Sequence, residues 1–311
     1  MKCLVTGGAG YIGSIAVKEL ITKKHEVIVV DNLSKGIKKL VNKKAKFYKL
    51  DLTNYKSLSK VFQKHKPEIV MHFAGYKAVE ESMQNPEKYS DNVIGTANLL
   101  KCMNENKTKK IIYSSTAAVY KPHNKTVTET DELEPNNYYG ETKRICEQMI
   151  LWFSKIYGIK YTIFRYFNVI GDGGLNYIDP EATNVLPIIM EVVMNKRPEL
   201  QIFGTNYPTR DGTCIRDYID VIDLVDAHIK SLNKANNEII NLATNSGTSV
   251  KELVSEVEKA LNITVPKKNK GRRAGDPPTL VASNKKAQKL LKWTPKISLK
   301  KSILATYKAY N

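Results

Sequence analysis

The chain has few of the residues that staple or anchor a protein. Its four cysteines (Cys3, Cys102, Cys146, Cys214) lie far apart among 311 residues, with no Cys-x-x-Cys and no histidine at metal-ligand spacing. That pattern argues against a disulfide framework and against a zinc site, so no metal is expected. No apolar run reaches the roughly 18 residues of a membrane helix. The opening residues, Lys2-Cys-Leu-Val-Thr6, read as a strand and not as a signal peptide, so the cytoplasm is the expected compartment. Acid is scarce relative to base: 31 Asp and Glu against 49 Lys and Arg give a formal charge of +18. The lysines are scattered in pairs such as Lys23-Lys24, Lys43-Lys44, Lys109-Lys110 and Lys285-Lys286, with no basic helix or aromatic-studded strand to concentrate them. A lysine-rich solvated surface is the reading, with no nucleic-acid partner and some attraction for a small anionic substrate.

What is present is alternation. Apolar runs at 3–5, 27–30, 47–48, 69–71, 111–112 and 161–164 read as buried strands, and helical patterns at 12–23, 57–65, 92–105 and 139–156 fall between several of them. Strands alternating with helices imply an α/β fold whose parallel sheet is covered on both faces, a doubly wound sheet of Rossmann type. From Val169 the pattern loosens into residues rich in Gly, Asp and Pro, with helical segments at 185–195, 221–232, 249–261 and 298–308. Residues 1–168 are expected to form the dinucleotide-binding part and 169–311 a smaller substrate lobe. A segment near 217–243 is expected to return to the first part.

The first strand runs into Gly7-Gly-Ala-Gly-Tyr-Ile-Gly13 and then a helix. The glycines allow a tight turn, close approach of backbone to a pyrophosphate and close packing of helix on strand, while the helix N-terminus offers amide donors to phosphate. The second strand ends in Asp31, an acid that can accept from both ribose hydroxyls and would repel a 2′-phosphate. A dinucleotide is therefore expected, NAD in preference to NADP. Strand four ends in His72-Phe-Ala-Gly75, whose small residues let the chain lie against a cofactor, and strand five ends in hydroxyls at Ser114-Ser-Thr116. Tyr139 and Lys143 follow, four apart and hence on one helix face. An ammonium there could make a tyrosine usable as a base at neutral pH.

These pieces resemble the extended short-chain dehydrogenase/reductase family. The likeness is carried by Gly7 to Gly13, Asp31-Asn-Leu-Ser34, His72-Phe-Ala-Gly-Tyr-Lys-Ala-Val79, Tyr139-Gly-Glu-Thr-Lys143, Arg165-Tyr-Phe-Asn168, Tyr207 to Tyr218 and Arg272-Arg-Ala-Gly-Asp-Pro277. Within the family it is similar to the enzymes that epimerise UDP-hexoses at C4, and the resemblance runs almost from end to end. It implies reversible epimerisation through hydride transfer to bound NAD and a 4-keto intermediate. Tyr139 would be the base, Lys143 would hold the nicotinamide ribose and, assisted by the positive nicotinamide ring, lower the tyrosine pKa, and Thr116 would hydrogen-bond the reacting oxygen. Gly7, Gly10, Tyr11, Ile12, Gly13, Asp31, Asn32, Asp51, Leu52, Phe73, Ala74, Gly75, Lys77, Asn92 and Tyr166 match cofactor-contacting positions. Asn168, Asn184, Gln201, Phe203, Arg216, Arg273, Asp276 and Leu280 match positions that hold the UDP and the sugar. The resemblance also implies a homodimer built from the helices of Asn92 and Tyr139. Relatives that dehydrate or decarboxylate nucleotide sugars place an acid directly after the strand-five hydroxyl, where Ala117 and Ala118 stand here. Leu280 is intermediate between the tyrosine that narrows the sugar pocket and the small residue that opens it. A UDP-N-acetylglucosamine or dual-specificity 4-epimerase is thus the alternative, and a regulatory protein that kept the NAD-binding fold without the chemistry is a further one, against which Tyr139 and Lys143 both speak.

Overall fold

The computed structural model describes every residue except His123, Asn124, Pro180, Glu181, Ala274 and Gly275. Along the first half run β1 (Lys2–Thr6), α1 (Tyr11–Thr22), β2 (Glu26–Asp31), β3 (Lys46–Lys49), α2 (Tyr55–His65), β4 (Ile69–His72), α3 (Val79–Gln84), α4 (Pro86–Glu105), β5 (Lys110–Thr116), α5 (Tyr138–Tyr157) and β6 (Lys160–Tyr166). The second half adds β7 (Asn168–Ile170), α6 (Val185–Val193), β8 (Leu200–Phe203), β9 (Ile215–Asp220), α7 (Val221–Lys230), β10 (Glu238–Leu242), β11 (Gly247–Ser249), α8 (Val250–Leu261), β12 (Lys267–Lys270), β13 (Thr279–Leu280), α9 (Lys285–Leu291) and α10 (Leu299–Tyr310).

Seven strands form one sheet in the order β10-β6-β5-β4-β1-β2-β3. The pairs β1–β2, β1–β4, β2–β3 and β4–β5 are parallel. Leu4, Ile28, Val30, Val70, Ile111 and Ile163 share one apolar core with Leu58 and Phe62 of α2, Leu99 of α4 and Ile150 of α5. The alternate strand residues Cys3, Val27, Val29, Ile69, Met71 and Ile112, which point to the other face, are buried too. A sheet buried on both faces is what a parallel α/β architecture requires, and the α/β expectation holds. Strand order reverses between β1 and β4, the switch point at whose carboxyl edge ligands bind in open α/β sheets.

The chain divides into two compact units: residues 1–121, 132–165 and 225–240, and residues 122–131, 166–224 and 241–311. In the second unit β9 pairs with β7, β11 and β13, and β8 pairs with β12. Its core joins Ile170, Leu186, Ile189, Met190, Leu253, Val254 and Ile303.

Two local features of the first half depart from the sequence expectation. Helix α4 begins at Pro86 instead of near Asn92, because proline's fixed φ suits the first helical turn and its missing N–H costs nothing there. Helix α3 was not expected: six residues without a side-chain cap leave no periodic signature, and a helix so short exists by virtue of its tertiary contacts.

Candidate active site

The turn after β1 is closed tightly. Gly7 has φ +69°, and a Cβ on it would lie 2.6 Å from the Ala74 nitrogen; a Cβ on Gly13 would lie 2.1 Å from the Gly7 oxygen. Gly10 heads α1 with no side-chain cap, and Tyr11 and Ile12, half-buried, open the helix. A glycine-headed helix N-terminus of this kind directs its first-turn amides and positive dipole end outward, the arrangement that cradles a pyrophosphate. Asp31 ends β2 with Oδ2 accepting from Ala9 N at 3.0 Å and Oδ1 from Leu33 N at 2.8 Å. Each oxygen keeps a second lone pair for a ribose hydroxyl. Asn32 donates to Asp51 Oδ2 at 2.7 Å, and Thr53 donates to Asp51 Oδ1 through both its backbone N–H and its hydroxyl. Burial raises the Asp51 pKa, but these bonds outweigh it and hold the carboxyl below its usual range. Leu52 packs beneath Gly95, where a Cβ would lie 3.0 Å from its own. These residues fit a dinucleotide.

The loop after β4 is held from two sides. Phe73 N donates to the Thr6 carbonyl at 3.1 Å, and Ala74 N reaches the Thr6 hydroxyl at 3.4 Å. Thr96 gives its hydroxyl proton to Asn92 O at 2.7 Å, so His72 Nε2 must donate to Thr96 Oγ1 at 3.0 Å and His72 Nδ1 must accept from Thr6 at 2.7 Å. Burial, with the Lys143 charge second, pushes this imidazole down to about 3, so it stays neutral. The Asn92 amide grips the Tyr76 backbone, accepting from its N–H at 2.8 Å and donating to its carbonyl at 3.1 Å. The Asn92 amide, for which the resemblance implied a cofactor contact, thereby shapes the Gly75–Lys77 loop. A Cβ on Gly75 would lie 3.1 Å from Asn92 Oδ1 and 3.6 Å from Lys143 Nζ. Lys77 is exposed.

Thr116, Tyr139 and Lys143 converge in the same unit. Asn137 caps α5 by accepting from Gly140 N at 2.8 Å, which sets Tyr139 and Lys143 in its first turns. Thr116, at the carboxyl end of β5, hydrogen-bonds the Tyr139 hydroxyl. Lys143, almost fully buried, donates from Nζ to the Ser114 carbonyl at 2.8 Å and sits 4.8 Å over the Tyr113 ring. Burial pushes Lys143 down to about 8, with Cys146 and Glu147 acting the other way. The expected lowering of Tyr139 by Lys143 is not found in the protein alone. Burial raises the tyrosine, and only the Thr116 bond opposes it.

Two residues of this region escaped the sequence reading as contributors. Glu147 stands one further helical turn along the Tyr139–Lys143 face. Arg165, read only as part of a family motif, donates to it from Nε at 3.0 Å and Nη2 at 2.6 Å. The face spacing of 139, 143 and 147 was the available signal for Glu147.

The second unit gathers the residues matched to the nucleotide sugar. Arg216 on β9 donates to the Ile215 and Pro277 carbonyls at 3.0 and 2.9 Å and pairs with Asp276 at 3.3 Å. Leu280 on β13 is its register partner. On β7, beside β9, Asn168 donates to the Asp217 carbonyl at 3.3 Å. Arg273 stacks over the Phe203 ring at 4.0 Å, and Gln201, two residues before Phe203, shares its side of β8. Asn184 stands at the N-cap of α6 with its side chain making no cap bond. Tyr166 ends β6, half-buried.

The chain matches the model of the NAD dependent epimerase/dehydratase family over residues 3–243. It is 43% identical over 304 residues to the UDP-glucose 4-epimerase of Lacticaseibacillus casei, covering 95% of this chain and 92% of that protein. To the UDP-glucose 4-epimerase of Lactobacillus helveticus it is 42% identical, covering 98% and 96%. A solved UDP-glucose 4-epimerase superposes with TM-score 0.94 at 41% identity, covering 100% of this chain and 97% of that one. The UDP-glucose 4-epimerase of Bifidobacterium longum, solved in complex with NAD+ and UDP, superposes with TM-score 0.93 at 33% identity, covering 99% and 98%.

Proposed function

Because the chain belongs to the NAD dependent epimerase/dehydratase family, we propose that it interconverts UDP-galactose and UDP-glucose by inverting C4 of the hexose. The observation that carries this reading is the meeting of Thr116, Tyr139 and Lys143 in the unit that bears the Gly7–Gly13 turn. NAD would be held by that turn, Asp31, the Asn32–Asp51 pair, Lys77 and Lys143, and would supply a hydride acceptor and donor for C4. Tyr139 takes the proton of the 4-hydroxyl and later returns it. Thr116 fixes the phenol oxygen, and Lys143, four residues along the same helix face and anchored on the Ser114 carbonyl, is assigned to the nicotinamide ribose. No carboxylate follows Thr116, since Ala117 and Ala118 stand there, so a proton on C5 is left alone.

The nucleotide is assigned to the second unit. A guanidinium carries five donors, and among the described residues three of those of Arg216 are taken. The remainder suit diphosphate oxygens, joined by Arg273. Phe203 offers an aromatic face to the base, and Asn168, Asn184, Gln201, Asp276 and Leu280 complete the substrate set. Inversion requires that UDP be held firmly and the hexose loosely, because the ketone must present its other face.

A homodimer is part of the proposal. Ile94 on α4 and Trp152 and Ile156 on α5 are exposed apolar side chains at 46%, 58% and 62%. A helix pair of this kind buries such a stripe against its own copy. Sedimentation at the monomer mass would refute it. The cytoplasm is the proposed compartment, in keeping with four free, buried cysteines.

The deciding experiment incubates the purified protein with UDP-galactose and with UDP-N-acetylgalactosamine separately, without added NAD, and identifies the products. UDP-glucose is expected from the first, and a Tyr139→Phe variant should lose at least about a hundredfold in rate. Turnover of the acetylated sugar alone, or steady release of reduced nicotinamide at its absorbance band, contradicts the reading.

A further inference from the structure

Helix α3 carries no part of the dinucleotide turn, yet Tyr139 is attached to it. Ser82 is fully buried; its hydroxyl donates to the Val79 carbonyl at 2.6 Å and accepts the backbone N–H of Tyr139 at 3.1 Å. That N–H lies in the first turn of α5, where the helix itself supplies no acceptor. Ser82 satisfies a donor that would otherwise be orphaned, at the residue that does the chemistry.

The ring of Tyr139 is held as well. It meets the Tyr89 ring edge-on, with centroids 6.5 Å apart and planes at 81°, a preferred arrangement for two aromatic quadrupoles. Tyr89 is itself fully buried, and its hydroxyl donates to Glu81 Oε2 at 3.0 Å, while Lys88 binds the other carboxylate oxygen. Glu81 stands on α3 beside Ser82, and both its partners stand on α4. The Tyr89 ring also lies 5.8 Å from that of Tyr76, over which Lys88 Nζ sits at 4.7 Å. Tyr76 is the residue whose backbone Asn92 clamps. A single cluster therefore runs from the loop after β4 to the catalytic tyrosine.

We propose that Ser82 and Tyr89 are positioning residues for Tyr139. Ser82 fixes the point where its backbone enters α5, Tyr89 fixes the plane of its ring, and the Glu81 carboxylate, held by Lys88 and Tyr89, ties α3, which bears Ser82, to α4, which bears Tyr89. The inference rests on the C4-epimerase reading and adds residues to it. The arrangement also decides which of two touching tyrosines ionises. Burial and the Glu81 carboxylate both push Tyr89 well above an ordinary phenol. On Tyr139 burial alone acts upward, and Thr116 acts against it.

The test uses Ser82→Ala, Tyr89→Leu and Tyr89→Phe, with kcat and KM for UDP-galactose measured across about pH 6 to 9. Ser82→Ala and Tyr89→Leu are expected to lower the kcat plateau about tenfold to a hundredfold, as a displaced catalytic group does, with KM within about twofold. Tyr89→Phe keeps the ring and should restore most of the rate. In Tyr89→Leu the rising limb of kcat should move to lower pH, because water admitted beside Tyr139 relieves the burial that raises it. Parent kcat and an unmoved limb in both Ser82→Ala and Tyr89→Leu overturn the proposal. So do losses that merely track the folded fraction seen by circular dichroism, with the limb unchanged. Should Tyr89→Leu not fold, Ser82→Ala, which removes one oxygen, decides alone. A working parent enzyme with indifferent variants defeats the brace only, whereas an inactive parent defeats the epimerase reading with it.

Discussion

Replacing Glu147 by glutamine should destabilise the protein far more than the loss of one surface charge would. The carboxylate and the Arg165 guanidinium are 3% and 2% exposed, so neither charge can fall back on solvent. The two carboxylate oxygens accept from Arg165 Nε and Nη2 and from the Ser115 hydroxyl. A glutamine amide keeps one acceptor and turns an –NH2 toward the guanidinium, donor against donor. An isolated buried charge of this kind costs about 3–5 kcal/mol. Arg165→Met should be costly for the mirror-image reason. Glu147→Gln/Arg165→Met buries no net charge, and should therefore be less destabilised than the sum of the singles by at least about 2 kcal/mol. Urea unfolding of the four proteins at one pH closes the cycle. Singles that cost less than about 1 kcal/mol, or a double that simply adds, refute the argument. Glu147 also opposes the burial that depresses Lys143, so the glutamine variant should lose its Lys143 ammonium at lower pH than the parent does.

Gly13→Ala should abolish retention of NAD through gel filtration, followed by nicotinamide absorbance, since its Cβ would sit 2.1 Å from a backbone oxygen that cannot move aside cheaply; normal retention refutes the reading of the turn. Lys110 donates to the Ser231 and Lys234 carbonyls and is lowered to about 8 by burial, then by Lys160. The unfolded chain therefore binds a proton that the folded one has released between about pH 8 and the ordinary lysine value. The stability of the parent relative to Lys110→Met should accordingly grow as pH rises through that window, and a flat difference in chemical unfolding contradicts it.

What could be read from the sequence was what the chain states locally. Gly7 to Gly13 and Asp31 are adjacent to strands whose apolar runs are unmistakable, and the physical demands of a strand–turn–helix are met within a dozen residues. Tyr139 and Lys143 were legible because four residues on a helix bring side chains together whatever the rest of the fold does. Ser82 was not: nothing in Val79-Glu-Glu-Ser-Met-Gln84 announces a helix, and its acceptor role depends on a tyrosine more than fifty positions away. The Arg165–Glu147 pair was hidden for the same reason, being a strand-to-helix contact. The short strands β7 to β9 and β11 to β13 of the second unit carry two to six residues each, too few for a period to show, and their pairing is fixed by tertiary context.

The charge balance at Tyr139 was only partly legible. Spacing shows that an ammonium stands four residues on, and a lowered tyrosine pKa was expected from it together with the positive nicotinamide ring. Spacing does not show what else surrounds the pair. The lysine is buried enough to fall to about 8 and spends a bond on the Ser114 carbonyl, while burial of the tyrosine outweighs the Thr116 bond. In the protein alone Tyr139 is thus a weaker acid than free tyrosine, and so is almost entirely protonated at neutral pH. Further positive charge beside the ring is needed to reverse this, and the oxidised nicotinamide carries one. The same burial that withholds the phenolate makes any such charge act at low effective dielectric, where it counts for more. Under the proposed function, proton removal by Tyr139 would then be confined to protein that holds its cofactor, and the proposed positioning contacts around Tyr139 would serve to keep that burial intact.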